Sequence, residues 1–384
     1  MTSSICAKLH PISEKMQTQL VAQKKQHQLR QRKLSPQSMV DFSHNDYLGL
    51  ASEPLLADAL YQGARQYGVG SKASPLVSGY SSAHQALEQQ LCQVTGHQAC
   101  MLFSSGFSAN CALMNTLLTP NDVALTDKLI HASIIDGIQH SGAKLSRFLH
   151  NDLTSLQTRL QQYPNSIVVT ESIFSMDGDG APLMAMAKLC QQYQAWLVVD
   201  DAHGFGVTGD ISTQLSATNA AIADIQVVTF GKALGCQGAA VLASNEVIEF
   251  LVANARDYIY STALSPASAH LALSALKLLN NEPQRRRRLA TNIRFFKAAA
   301  AKHGITLIHS NSAIQPVIIG DNQTTMLIAK QLAEQGFAVG AIRSPTVPKG
   351  AARLRVTLNS QHTEKQIEQL LEAISVEINS AGHA

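Results

Sequence analysis

Six short runs in the middle of the chain, ACMLFSS, DVALTD, SIVVTES, AWLVVDD, DIQVVTF and GAAVLAS, constrain the fold more than any other feature. Each is nearly continuous in apolar, often β-branched residues, and most end in a turn rich in Gly or Asp. A strand with one face in water alternates apolar and polar residues, whereas a strand covered on both faces does not. Helical stretches separate the runs, so the pattern predicts an α/β large domain built on a mostly parallel sheet covered by helices. From about residue 285 the texture changes, and a long helical stretch leads to GITLIHS, SAIQPVIIGD and ARLRVTLN. That succession predicts a smaller C-terminal α+β domain. The N-terminal stretch is polar and rich in Gln and Lys, with sparse apolar spacing that suits an amphipathic arm. The expected organisation is an arm over 1–45, a large domain over 46–284 and a small domain over 285–384.

The 384 residues exceed one typical core, and 45% hydrophobic with 15% charged residues is a globular composition. A formal charge of +3 argues against nucleic acid and against an acidic membrane surface as partners. The one basic block, NEPQRRRRLA, follows an Asn-Glu-Pro helix start and reads as a solvated helix face. The six cysteines (Cys6, Cys92, Cys100, Cys111, Cys190 and Cys236) form no Cys-x-x-Cys pair and no metal-ligand spacing. They read as reduced thiols of a cytoplasmic protein with no metal site. MTSSICAKLHPISEKM lacks the apolar core of a signal peptide, and no apolar segment approaches a membrane span.

Ligands of open parallel sheets bind beyond the carboxyl ends of the strands, so the residues directly after each run carry the most information. AWLVVDDAHGFGVTG places Asp200 at such an end, with His203 shortly after. A carboxylate there either caps the turn or holds a cationic ring nitrogen, and the imidazole either packs or bonds a ring substituent. DIQVVTFGKALG places Thr229 and Lys232 at another end. A lysine shielded from water is nucleophilic enough for Schiff-base chemistry, although a lone loop lysine is more often an ordinary surface residue. CMLFSSGFSANCAL ends a strand in Ser105, Gly106 and Phe107 and opens a helix, whose free N–H groups suit a phosphate. SIVVTESIFSMDGDGAP offers Glu171, Ser175 and Asp177, and DVALTDKLIHASIIDGI offers His131 at a helix start. One ligand answers all of these together. It has a phosphate for the Ser105–Phe107 turn, a ring to stack on His131, a cationic nitrogen for Asp200 and an aldehyde for Lys232. Pyridoxal 5'-phosphate has that inventory.

The chain resembles the α-oxoamine synthases, a branch of the fold-type-I pyridoxal-phosphate transferases, from about Asp41 to His362. The motifs that carry the resemblance are NDYLGL, VSGYSSAHQALE, SSGFSAN, HAS, ESIFSMDGDGAP, DDAHGFGVTG, TFGKALG, YIYSTALSPA and RSPTVPKGAARLR. SGYSSAHQALE and TVPKGAARLR are most similar to the biotin-pathway members, which make 8-amino-7-oxononanoate. The resemblance implies that Lys232 is the Schiff-base lysine, that Asp200 bonds the pyridinium nitrogen and that His131 stacks on the ring. His203 and Ser175 match residues around the ring oxygen, and Thr229 adds a hydroxyl near the phosphate. Asn45 and Arg355 resemble the pair that grips the amino acid carboxylate, with Arg353 an alternative on the same strand face. Thr346 sits where the family meets the acyl substrate, and Arg30 matches an arginine at the far end of the acyl chain. Family members often carry a small residue where this chain has Lys72, which puts a second lysine in a glycine-rich loop.

The implied reaction is the decarboxylative condensation of L-alanine with a pimeloyl thioester, on coenzyme A or acyl carrier protein, in a homodimer with its site between subunits. Siblings that use glycine or another acyl thioester are the alternative. A nicotinamide dehydrogenase would need G-x-G-x-x-G after the first strand, and Gly68 and Gly70 precede no such unit.

Overall fold

The computed structural model describes residues 10–32, 34, 36, 38–207 and 222–382. Cys6 and the end of DDAHGFGVTG lie outside them. Eleven strands are described: β1 (Val40–Phe42), β2 (Ala99–Phe103), β3 (Val123–Asp127), β4 (Lys144–Phe148), β5 (Ile167–Glu171), β6 (Trp196–Asp200), β7 (Ile225–Thr229), β8 (Ala239–Ala243), β9 (Ile314–Gly320), β10 (Phe337–Ile342) and β11 (Ala352–Thr357). Seven of them form one sheet in the order β2-β8-β7-β6-β5-β3-β4. All pairings from β7 to β4 are parallel, and β8 alone runs antiparallel to both its neighbours. The six apolar runs are six of these strands, and β8 is buried at every position, as expected of a strand covered on both faces. β4 (KLSRF) is the seventh, an edge strand with Lys144 and Arg147 exposed and Ser146 and Phe148 buried.

The second sheet has the order β1-β10-β11-β9, so the short strand Val40–Phe42 pairs in parallel with β10. Of the C-terminal runs, SAIQPVIIGD and ARLRVTLN supply β9 and β11, but GITLIHS forms no strand. Its end is pinned by side chains instead: the Ser310 hydroxyl shares its one proton between the Ile314 carbonyl at 2.6 Å and the Gly178 carbonyl at 2.9 Å, and Lys297 Nζ donates to the Ser310 carbonyl. β10 comes from FAVGAI, whose residues are all half-buried.

One core cluster runs through both sheets, joining Phe42, Leu48 and Leu50 to Phe230, Leu276, Phe296 and Leu354. Burial of side chains of this size contributes about 1.5–3 kcal/mol each. The basic block begins the helix Pro283–Lys302, but it is not simply a solvated face. Arg285 is half-buried and donates to Glu53 Oε2 at 2.7 Å, Glu282 Oε2 at 2.5 Å and the Leu48 carbonyl at 3.2 Å, tying this helix to the segment after β1. The arm helix Pro11–Lys25 buries nothing, and its Ile12, Met16, Leu20 and Val21 are exposed.

Candidate active site

β5, β6 and β7 end nearly level, because Glu171 pairs with Asp200 and Asp200 with Val227 in the strand register. The loops that follow them open into a cavity of about 1010 Å³. Thirteen of the residues singled out above line it, Arg30, Asn45, Ser105, Gly106, Phe107, His131, Ser175, Asp200, His203, Thr229, Lys232, Thr346 and Arg355, as does Glu171, whereas Asp177 and Arg353 do not. Lys72 does not line it; it is exposed, with a φ of +67°.

Asp200 is 6% exposed and fully engaged on the protein side. Its Oδ2 accepts from Asn110 Nδ2 at 2.7 Å and its Oδ1 from the Ala202 N–H at 3.0 Å. Asn110 also donates to Ser133 Oγ at 3.1 Å, which ties the carboxylate to the helix that His131 caps. Lys232 Nζ donates to Thr229 Oγ1 at 3.3 Å. Burial, opposed by Asp200 and Glu171 and assisted by the Arg355 charge, lowers the Lys232 pKa. His203 is pushed well below its ordinary value by burial and by the charges of Lys232, Arg355 and His131, so its imidazole is neutral. Its Nδ1 hydrogen-bonds the Tyr47 hydroxyl at 2.5 Å. Burial raises the Tyr47 pKa to about 12, so that hydroxyl keeps its proton.

The two arginines of β11 are both buried and on one face, and their partners separate them. Arg353 pairs with Asp177. Arg355 Nε donates to the Ser175 carbonyl at 2.7 Å, and its Nη1 and Nη2 both reach Asn45 Oδ1 at 3.2 Å. A guanidinium with no carboxylate among these partners, opening on a cavity, suits an incoming carboxylate. Further along the wall, Arg30 Nη2 donates to Thr346 Oγ1 at 3.0 Å.

Two contributors, Tyr47 and Asn110, were not singled out from sequence, although the motifs NDYLGL and SSGFSAN contain them. They hold His203 and Asp200. Glu171 lines the cavity at 3% exposure with Oε1 unpartnered. Burial and the Asp200 charge hold its pKa well above the usual carboxylate range.

The residues present fit pyridoxal phosphate. The helix Gly106–Leu117 presents its first N–H groups to the cavity, and Gly106 leaves room there, since a Cβ would lie 2.5 Å from Thr229 Cγ2. An anchored aspartate, an exposed imidazole and a shielded lysine surround the same space. Among the described residues no cluster of His, Cys, Asp and Glu could hold a metal ion.

The family model for aminotransferase class I and II matches residues 37–374. The 8-amino-7-oxononanoate synthase of Vibrio atlanticus is 46% identical over 337 residues, 88% of this chain and 83% of that protein. That of Stutzerimonas stutzeri is 44% identical over 380 residues, covering 93% and 95%. Among solved structures, an 8-amino-7-oxononanoate synthase from Francisella tularensis superposes with a TM-score of 0.78 at 35% identity, covering 90% of this chain and 100% of that one. A serine palmitoyltransferase from S. paucimobilis with bound PLP and myriocin gives 0.89 at 25% identity, covering 98% and 100%.

Proposed function

The chain belongs to the aminotransferase class I and II family and groups with its 8-amino-7-oxononanoate synthases, and from that premise we infer its reaction. It condenses L-alanine with a pimeloyl thioester, on coenzyme A or acyl carrier protein, to give 8-amino-7-oxononanoate, carbon dioxide and the free thiol, a step of biotin biosynthesis. The observation that carries this reading is one cavity that sets a lysine of depressed pKa beside an anchored aspartate and an arginine open to a carboxylate.

Pyridoxal phosphate, when bound, supplies a ring that accepts the electron pair left on the amino acid Cα. The N–H groups of Gly106 and Phe107 and the Thr229 hydroxyl would hold its phosphate, and His131 would stack on the ring. Asp200, fixed by Asn110 and Ala202, would bond the ring nitrogen. Lys232 would hold the cofactor through its aldehyde. Its Nζ, uncharged more readily because of burial, would take the Cα proton. Arg355 and Asn45 orient the alanine carboxylate, which later departs as carbon dioxide. The new bond joins Cα to the thioester carbonyl carbon as the C–S bond breaks and the thiol leaves. His203, neutral and steadied by Tyr47, and Ser175 face the oxygens that gain charge. Lys232 returns a proton to Cα, while Thr346 and Arg30 face the acyl chain.

Two copies pair as a homodimer, and cytoplasm is the compartment. The exposed apolar residues of the arm helix and the exposure of Val69, Val77 and Tyr260 support the pairing. The five described cysteines are free, and no described helix is long and apolar enough to cross a membrane. The test of the reaction is a steady-state assay of L-alanine, glycine and L-serine against a panel of acyl thioesters. The highest kcat/KM belongs to L-alanine with the pimeloyl thioester; a preference for glycine or serine, or for another acyl chain, overturns the assignment.

A further inference from the structure

Outside the cavity, His150 stands just beyond the end of β4 and faces two carboxylates. Its Nδ1 lies 2.8 Å from Asp127 Oδ1, at the end of β3, and its Nε2 lies 2.7 Å from Asp179 Oδ2, in the loop after β5. A neutral imidazole has one N–H and can serve one acceptor, so two carboxylate partners require both nitrogens protonated. Asn151 braces the same pair, with its N–H on Asp127 Oδ2 at 2.9 Å and its Nδ2 on Asp179 Oδ2 at 2.7 Å. The ring also meets Phe174 edge-on, with centroids 4.4 Å apart.

Asp179 belongs to the loop Ser172–Gly180, which carries Ser175 into the cavity. The loop is closed at its base by the Ile173–Gly180 bridge. On its other side it meets the second sheet: Ser175 accepts from Arg355, Asp177 pairs with Arg353, and the Gly178 carbonyl accepts from Ser310 Oγ at 2.9 Å. His150 is therefore the fastening of this loop to the large sheet, and Arg353 and Arg355 fasten it to the small one. We propose that His150, held as an imidazolium between Asp127 and Asp179, is a positioning residue that fixes the Ser172–Gly180 loop and so the aim of Arg355 at the amino acid carboxylate.

The two aspartates are the charged groups that face the ring. Their hydrogen bonds and charges outweigh partial burial and push the His150 pKa up to about 10. The sign follows: a folded pKa above the unfolded value near 6.5 gives a contribution complete below about pH 6.5 and lost as the pH rises through about 10.

The amino-acid part of this proposal rests on the reading of the cavity given above, so the test has a readout that does not. NMR titration of the His150 ring in the full-length holoenzyme should give a midpoint far above neutrality, falling toward neutrality in Asp179→Asn. In that variant the KM for L-alanine should rise about tenfold between pH 7 and 9, the low end for losing a charge-assisted hydrogen bond. The wild-type KM stays flat over the same range, and the KM for the acyl thioester moves less than about twofold. His150→Gln, which cannot titrate, should show the raised L-alanine KM at every pH in that range. A wild-type ring that titrates near pH 6.5 overturns the clamp. So does an L-alanine KM in both variants equal to that of the wild type. A high ring midpoint in a protein that does not turn over L-alanine would leave the clamp standing and sink the reaction instead.

Discussion

Gly106→Ala is the sharpest perturbation of the phosphate site. The added Cβ would lie 2.5 Å from Thr229 Cγ2, about 1 Å inside ordinary van der Waals contact. Thr229 has little freedom to yield. Its backbone is locked in β7 against Ala239, and its hydroxyl takes the Lys232 Nζ at 3.3 Å. A β-branched side chain can move its methyl only by turning χ1, which swings the hydroxyl away from Lys232. Overpacking of this kind costs about 1–3 kcal/mol. Turning Thr229 aside also takes its hydroxyl off the phosphate, and losing a hydrogen bond to a charged group, about 1.5–3 kcal/mol, weakens pyridoxal phosphate binding roughly 10- to 150-fold. Gly106 is not in the left-handed region, and alanine favours a helical position by up to about 1 kcal/mol, so the fold itself should hold. The assay is a titration of apoenzyme with pyridoxal phosphate, followed by visible absorbance and paired with thermal unfolding. The double variant isolates the cause, because Thr229→Ser deletes Cγ2 and keeps the hydroxyl. Gly106→Ala/Thr229→Ser should recover at least about 1 kcal/mol of affinity relative to Gly106→Ala. Wild-type affinity in the single variant, or no recovery in the double, refutes the reasoning.

Lys232→Ala should abolish turnover and the visible absorbance of the bound cofactor, and measurable steady-state activity in it would mean another amine, such as Lys72, does the work. Arg355→Lys loses the fork that reaches Asn45; the KM for L-alanine should rise roughly 10-fold or more with a smaller change in kcat, since a hydrogen bond to a charged group contributes about 1.5–3 kcal/mol. An unchanged KM would move the carboxylate site elsewhere. Glu171→Gln reproduces a neutral acid beside Asp200, so kcat and its pH profile should stay within about threefold of wild type, a shift of less than about 1 kcal/mol in the barrier. Loss of activity by more than tenfold in this variant would show that Glu171 works as an anion.

The sheet was legible because its signal is coarse. Six strands covered on both faces have no alternation to lose, and four of them end in a polar residue that a core strand does not need: Asp127, Glu171, Asp200 and Thr229. β4 escaped because an edge strand with Lys144 and Arg147 facing outward has the composition of a loop. FAVGAI and GITLIHS have nearly the same local character, yet only the first is a strand. The difference is tertiary: β10 finds β1 and β11 on either side, while the end of GITLIHS is occupied by Lys297 and the Ser310 hydroxyl.

The site divides in the same way. Residues placed by a strand end could be read one strand at a time, but the choice between Arg353 and Arg355 could not. Side chains two apart on a strand share a face, so both are buried toward the same loop and the strand pattern treats them alike. What distinguishes them is which loop residue stands opposite. Asp177 neutralises Arg353, while Arg355 meets only oxygens without full charge, those of Ser175, Asn45 and Thr357. The arginine left with unspent charge is the one available to a substrate carboxylate. That availability depends on Asp177 being in register with Arg353. The register depends on the Ser172–Gly180 loop, and the loop on what holds Asp179. Asp177→Asn should therefore leave Arg353 as a second free guanidinium near the cavity and make the carboxylate preference less selective. Longer dicarboxylic amino acids would then inhibit more strongly relative to L-alanine than in the wild type, and an unchanged ratio of inhibition constants would show that Arg353 is out of reach whatever its partner.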